Sequence, residues 1–165
     1  IKNKFPLFYL PAVNRLFKGD PLFKVGLSID NPFYIYGDFN NDNIVDYALI
    51  IARNYPINHS GGWWIGHRVL ILNGNSDSTF TEFLFPPEKL LSYGSVIENP
   101  YRREIYIALT KLHSGINKVK NEYSEISVNL KHSAIGIISA GDKSIYYYYY
   151  KGNRYIEKYI YQEDI

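Results

Sequence analysis

The chain has 165 residues, of which 46% are hydrophobic, so we predict one domain over residues 1–165 that buries a core without disulfide staples. The formal charge of +2 is small and the basic residues are dispersed, which argues against a nucleic-acid partner. Cysteine is absent, which excludes a disulfide framework, a thiol nucleophile and a thiolate metal site. The 17 tyrosines favour strands, because aromatic side chains fit a pleated surface.

The first third of the chain predicts a short helix followed by two strands. Residues 11–18 place a proline in the first turn and put apolar side chains on one face, and a glycine follows them. Residues 33–36 and 47–51 are β-favouring runs. No apolar run reaches the roughly 20 residues that a membrane-spanning helix needs, so we expect no membrane span.

Between these two strands lies a stretch rich in oxygen-bearing side chains. Asp38, Asn40, Asp42 and Asp46 occupy loop positions one, three, five and nine, and the carbonyl of Ile44 can add a further oxygen. Calcium takes six to eight such oxygens at about 2.3–2.6 Å. Three aspartates so close together repel one another unless a cation lies between them. The pattern therefore predicts a Ca²⁺ loop over residues 38–46.

The loop differs from an EF-hand. An EF-hand needs a bidentate carboxylate at position twelve, where this chain has Leu49. The closing ligand is therefore Asp46, and the loop leads directly into a strand. An Asx-rich turn that joins two strands without a metal is the alternative interpretation, since Asn and Asp are common turn formers.

The segment 37–48 resembles the calcium loop of FG-GAP (VCBS-type, integrin-like) repeats, whose pattern is Asp-x-Asn-x-Asp-Gly-x-x-Asp-hydrophobic-Ala. The resemblance implies the same five ligands. The family's glycine is Asn43 here. That glycine permits a positive φ, and Asn is the residue that best tolerates this conformation after glycine. The resemblance covers about a tenth of the chain, so it bears on the metal site more than on the fold.

The middle of the chain predicts strands separated by loops. Residues 54–66 are expected to form a loop that carries Trp63 and Trp64 between glycines. Strands are predicted at 68–72, 79–85 and 104–110, with a turn at 73–77, a helical turn or short helix at 86–91 and a mobile polar loop at 111–123.

The last third predicts a strand at 133–138 and a hairpin whose arms are 144–150 and 155–161. In the first arm Tyr146 and Tyr148 share one face of the strand. A second copy of the metal loop is not found, and a propeller needs several repeated blades. We therefore predict a mainly β fold with one or two short helices (β-rich α+β), a compact antiparallel sheet domain and not a full propeller.

Catalytic motifs are not found in the sequence. The four histidines show no zinc-ligand spacing and are expected to be solvated loop residues. A nucleophile elbow, a phosphate-binding glycine loop and a dinucleotide fingerprint are not found either. We therefore expect that the protein is not an enzyme.

Two groups of aromatic residues are candidates for a partner-binding surface. Trp63 and Trp64 suit protein hot spots or sugar stacking, and the alternative is that one of them fills the core. Tyr146 and Tyr148 are predicted to contact a partner if their face of the strand points outward; otherwise they belong to the core.

These observations together predict a non-catalytic binding protein with a Ca²⁺-stabilised loop and a protein partner. Millimolar external calcium would fill a site of modest affinity, which favours a periplasmic or secreted location. The chain also loosely resembles small periplasmic bacterial proteins, including immunity proteins that neutralise toxic effectors. The alternative function is a calcium-dependent carbohydrate-binding or cell-surface adhesion module.

Overall fold

A computed structural model describes residues 7–11, 33–56, 63–85, 93–97, 107–120, 125–139 and 145–160. Within these ranges the chain forms eleven strands, all paired antiparallel, and no helix. The strands are β1 (Tyr34–Gly37), β2 (Asp46–Pro56), β3 (Trp63–Gly74), β4 (Phe80–Phe85), β5 (Tyr93–Ile97), β6 (Ile107–Leu112), β7 (Gly115–Lys120), β8 (Glu125–Leu130), β9 (Ala134–Ser139), β10 (Ile145–Lys151) and β11 (Arg154–Tyr159).

The first sheet has the order β1-β2-β3-β4, and β5 also pairs with β3. Strand β3 accommodates both neighbours on one edge because it is 12 residues long. Its first residues pair with β5 and its last residues pair with β4. The second sheet has the order β11-β10-β9-β6, and β7 pairs with β8 in a separate hairpin.

The main core lies between the first and second sheets. Alternating residues of β2 and β3 point into it, as the two-residue period of a strand requires. The second sheet contributes aliphatic residues of β6 and β9 and tyrosines of β10. The buried members at its centre include Ala48, Ile50, Val69, Ile71, Leu109, Ile135, Ile137, Tyr146 and Tyr148. A smaller cluster on the other face of the second sheet joins Leu112, Leu130 and Ala134.

The β10–β11 hairpin confirms the predicted connection at residues 151–154. Lys151 pairs with Arg154, and the two residues between them, Gly152 and Asn153, have φ values of 58° and 65°. Positive φ at both central residues defines a type I′ turn, whose twist matches that of the flanking strands. Gly and Asn are the residues that adopt this geometry most readily.

The β-rich antiparallel character is confirmed, and two loop predictions are wrong. Strand β2 extends to Pro56 and β3 begins at Trp63, so the predicted loop at 54–66 is much shorter. The predicted mobile loop at 111–123 contains the end of β6 and all of β7. Apart from Pro11, the predicted helices at 11–18 and 86–91 lie outside the described residues. In the described part of the chain, no helix has the length and apolar character needed to cross a membrane.

Candidate metal centre

The predicted metal loop joins two adjacent strands of the first sheet. Strand β1 ends at Gly37 and β2 begins at Asp46, and these two residues face each other in the antiparallel register. Residues 38–45 therefore form the connection of a β-hairpin. The side chain of Phe39 is completely buried and belongs to the main core, which fixes the start of the loop.

Asp38 organises the first half of the loop through its carboxylate. Its Oδ1 accepts hydrogen bonds from the backbone N–H groups of Asn41 and Asp42 at 2.6 and 3.2 Å. Its Oδ2 accepts from the N–H of Asn43 at 3.0 Å. Three successive amides thus point at one carboxylate, so the backbone curls around the Asp38 side chain.

Asn40 and Asp42 continue the same pattern as two Asx turns. The N–H of Asp42 donates to Oδ1 of Asn40 at 3.1 Å, and the N–H of Ile44 donates to Oδ1 of Asp42 at 2.8 Å. The amide Nδ2 of Asn40 also donates to Oδ2 of Asp42 at 2.8 Å. The two side chains at positions three and five of the loop are therefore in direct contact.

Asn41 and Asn43 hold the left-handed backbone conformation that the curl requires. Both have a φ of 65°. Asn is among the few non-glycine residues that adopt this conformation at small cost. Asn43 stands at the position where the FG-GAP pattern has glycine, and its φ is one that glycine adopts freely.

Asp46 is the buried end of the loop, with an exposure of 0%. Its Oδ2 accepts from the N–H groups of Phe39 and Asn40 at 2.7 and 3.2 Å, and its Oδ1 accepts from the N–H of Gly74 at 3.0 Å. Burial, with a smaller contribution from the nearby charge of Asp42, nevertheless raises the pKa of Asp46 to about 6. The three hydrogen bonds oppose this rise only in part. A nearby cation would offset the remaining free-energy cost of ionising the buried carboxylate.

Gly74 allows the loop to sit against β3. A Cβ on Gly74 would lie 2.6 Å from the carbonyl oxygen of Val45 and 2.7 Å from Cγ2 of Ile44. Both distances are far inside van der Waals contact, so the loop backbone occupies the space of the missing side chain. Sequence reasoning placed Gly74 in a turn and missed this role, although an Asn-Gly pair at a strand end is a visible signal.

A buried hydrogen bond connects this region to the second sheet. The hydroxyl of Tyr155 on β11 donates to Oδ1 of Asn73 at 2.6 Å, and Asn73 precedes the glycine that binds Asp46. Burial raises the pKa of Tyr155 far above its usual range, and the charge of Asp46 adds to this rise. No local sequence pattern predicts this contact, because 82 residues separate the two partners.

The donor set fits calcium in its chemistry. In the described ranges, no three His, Cys, Asp or Glu side chains are grouped so that they could hold a metal ion. Calcium accepts amide and carbonyl oxygens as well as carboxylates, so the predicted ligands Asn40 and Ile44 also count. The same hydrogen bonds would also form in an Asx-rich turn without a metal. The two interpretations predict different effects of calcium on the stability of the protein.

The predicted partner-binding residues occupy positions that differ from the expectation. Trp63 and Trp64 are strand residues of β3, whose backbone lies between β2 and β5, and do not belong to a glycine-flanked loop. Tyr146 and Tyr148 have exposures of 4% and 0% and belong to the main core. Their prediction as partner-binding residues is therefore corrected, because the face of β10 that carries them points inward.

The histidines also differ from the expectation in one case. His67 is buried on β3, and burial lowers its pKa to about 3. His113 is exposed, and the ring of His132 stacks on Tyr149 at a centroid distance of 4.4 Å. His59 lies outside the described residues.

The chain matches no protein-family model, no curated protein and no solved structure.

Proposed function

We propose that residues 38–46 bind Ca²⁺ and that the protein is a non-catalytic binding protein stabilised by this ion. The ligands are the side chains of Asp38, Asn40, Asp42 and Asp46 and the carbonyl oxygen of Ile44. The observation that carries the proposal is the curl of the loop, in which three successive amides bind Asp38 and the positive φ of Asn43 stands at the family's glycine position.

Electrostatics supports the same proposal. Burial is the main cause of the raised pKa of Asp46, and the charge of Asp42 adds to it, so the two carboxylates interact unfavourably when both are ionised. A divalent cation between the carboxylates would replace this repulsion by attraction. Calcium would thereby stabilise the loop, and through the Asp46–Gly74 contact it would stabilise the end of β3.

The remainder of the proposal concerns location and partner. The loop has three carboxylates, and Asn43 stands where the FG-GAP pattern has glycine. Such a loop suits a calcium site of modest affinity, which millimolar calcium outside the cytosol would fill. We therefore propose a periplasmic or secreted protein that binds, and in the manner of an immunity or inhibitor protein neutralises, a protein partner. The carbohydrate-binding alternative depended on Trp63 and Trp64, whose side chains lie outside the described part.

Thermal unfolding in calcium, in magnesium and in excess chelator tests the metal site. A site occupied at 100 times its dissociation constant adds about 2.7 kcal/mol to the free energy of unfolding. In a domain of this size the midpoint would then rise by several degrees. We expect the rise with calcium, and we expect Asp42→Ala to abolish it.

Asp77→Ala is the matched control, because Asp77 is an exposed aspartate in the neighbouring β3–β4 turn and its hydrogen bonds go to Thr79. This variant should keep the full calcium response. Coincident melting curves of the wild-type protein in all three buffers would identify residues 38–46 as an Asx-rich turn without a metal.

A further inference from the structure

Exposed apolar side chains are concentrated at one end of the first sheet. The described residues include eight large hydrophobic side chains that are exposed. Four of these eight belong to β1, the end of the metal loop and the start of β4, namely Tyr34, Tyr36, Val45 and Phe80, with exposures of 37%, 60%, 49% and 47%. Contiguous exposed apolar surface of this kind marks interaction sites in soluble proteins.

The strand register puts these side chains on the face of the sheet that points away from the core. Tyr36 pairs with Tyr47, which is one residue from the buried Ala48, and Tyr47 pairs in turn with Leu72. Residues two apart on a strand share a face, so Tyr34 lies beside Tyr36. On the other side of β3, Phe80 pairs with Gly74, two residues along from Leu72.

The aromatic rings on this face are already arranged against one another. The rings of Tyr34 and Tyr36 stack with a centroid distance of 6.1 Å and an interplanar angle of 23°. The rings of Tyr47 and Phe80 meet edge to face at 6.0 Å and 72°. Ordered rings lose little conformational entropy when a partner covers them. We call Tyr34, Tyr36, Tyr47 and Phe80 the aromatic face.

The charge at this end of the first sheet is mainly negative. Asp38, Asp42, Asp77 and Glu82 carry carboxylates here, and Asp46 is buried below them. Lys111 adds one positive charge, because its Nζ lies beside Gly37 at the end of β1. Five carboxylates and one ammonium give a formal charge of −4, which a bound Ca²⁺ would change to −2. The surroundings of the aromatic face therefore carry an excess of negative charge.

We propose that the aromatic face docks a partner protein through a basic surface that presents lysine and arginine side chains. The inference rests on the proposed binding function and not on the metal site. Arginine and lysine side chains interact favourably with the faces of tyrosine rings, and the acidic surroundings would steer such a partner towards the face. Aromatic anchors within a charged rim form the usual core of a protein–protein interface.

The test is selection from a display library of one small folded scaffold, with randomised surfaces that are basic, neutral or acidic in equal number. We expect basic members to be enriched on the wild-type protein. Binding of a selected member should fall by at least about tenfold in Tyr36→Ser and in Phe80→Ser. Ile116→Ser is the matched control, because Ile116 on β7 is 72% exposed and lies outside the aromatic face. It should bind as the wild type does.

Circular dichroism of each variant establishes that a loss of binding does not come from unfolding. Glu82→Gln and Asp77→Asn, which remove charge from the same end of the sheet, should weaken binding at low salt and have less effect at high salt. Enrichment of neutral or acidic members, or equal binding by the serine variants, would overturn the proposal. Dimerisation of the wild type that Tyr36→Ser abolishes, or glycan binding through these rings with no basic member selected, would also overturn it.

The same measurements in calcium and in chelator separate this inference from the metal site. Selection of basic members in both buffers, with no effect of calcium on the melting curve, would support the aromatic face and refute the calcium loop. A rise of the melting temperature with calcium, without any selected basic member, would support the calcium loop and refute the aromatic face.

Discussion

Asp46 and Gly74 are joined by a buried hydrogen bond of 3.0 Å although 28 residues separate them in the chain. The carboxylate lies at the end of the loop 38–46 and the amide at the end of β3, so this bond connects the loop to an interior strand of the first sheet. The same carboxylate also binds the amides of Phe39 and Asn40. The Asp46 side chain thus closes the loop and attaches it to β3.

Replacing Asp46 by asparagine should destabilise the protein. An amide offers one acceptor oxygen where the carboxylate offers two, so its NH₂ group would face at least one of the three backbone N–H donors. A buried donor without an acceptor costs about 1–3 kcal/mol. Urea unfolding in chelator measures this loss. The exposed Asp77→Asn, which keeps its acceptor oxygen, should change the free energy of unfolding by less than half as much.

Gly74→Ala should destabilise the protein while Gly37→Ala should not. A Cβ on Gly74 would collide with the backbone carbonyl of Val45 at 2.6 Å, and overpacking of this kind costs about 1–3 kcal/mol. A Cβ on Gly37 would meet the Nζ of Lys111 at 2.5 Å, and that flexible end can move away. Equal melting temperatures for the two variants would contradict this account of the loop contact.

His67 should make stability depend on pH. Its pKa is about 3 in the folded protein and 6.5 in an unfolded chain, so the unfolded state binds the extra proton between these values. The free energy of unfolding should therefore fall as pH decreases from about 6.5 towards 3. Urea unfolding at several pH values should show a shallower fall in His67→Gln. His113→Gln, which changes an exposed histidine, should keep the wild-type fall.

Asp46 acts with the opposite sign in the same range. Its folded pKa of about 6 exceeds the ordinary 3.8, so its contribution is present below pH 3.8 and is lost as pH rises through 6. In chelator, Asp46→Asn should therefore show a steeper dependence of stability on pH than the wild type, since the opposing contribution of Asp46 is removed. An unchanged dependence would contradict the raised pKa.

Tyr155→Phe should weaken the link between the two sheets. The variant loses the hydroxyl that donates to Asn73 at 2.6 Å and leaves the buried Oδ1 of Asn73 without this donor. The expected cost is about 1–3 kcal/mol. Tyr36→Phe is the control, because Tyr36 is 60% exposed. Both variants are compared by thermal unfolding, and equal midpoints would refute the importance of the Tyr155 contact.

Local signals in the sequence were sufficient for two of the hairpins. The β-favouring runs 33–36 and 47–51 correctly predicted two strands, and the Asp-x-Asn-x-Asp spacing correctly placed a loop between them, because Asx turns form between residues two apart. Gly152 and Asn153 correctly predicted the tight turn between β10 and β11 for the same kind of local reason. Alternation along β10 showed which tyrosines share a face.

Long-range packing was beyond these signals. Alternation does not say which face of β10 is buried, so Tyr146 and Tyr148 were candidates for either a partner surface or the core, and the structure places them in the core. Glycines before Trp63 suggested a loop where pairing with β2 and β5 extends the strand. Strand β7 was missed because its residues are polar, and it is held by pairing with β8. The burial of Tyr146 and Tyr148 depends on residues that are distant in sequence, whereas β7 and β8 are consecutive strands whose polar residues gave no clear strand pattern.

The attachment of the loop through Asp46 also limits how this part of the molecule can open. Exchange of the amide hydrogens of Phe39 and Gly74 with solvent requires the Asp46 carboxylate to release both amides. Asn73, the residue before Gly74, is hydrogen-bonded by Tyr155 from the other sheet. The loop end and the two sheets therefore belong to one cooperative unit, so these amides should exchange only when the two sheets separate.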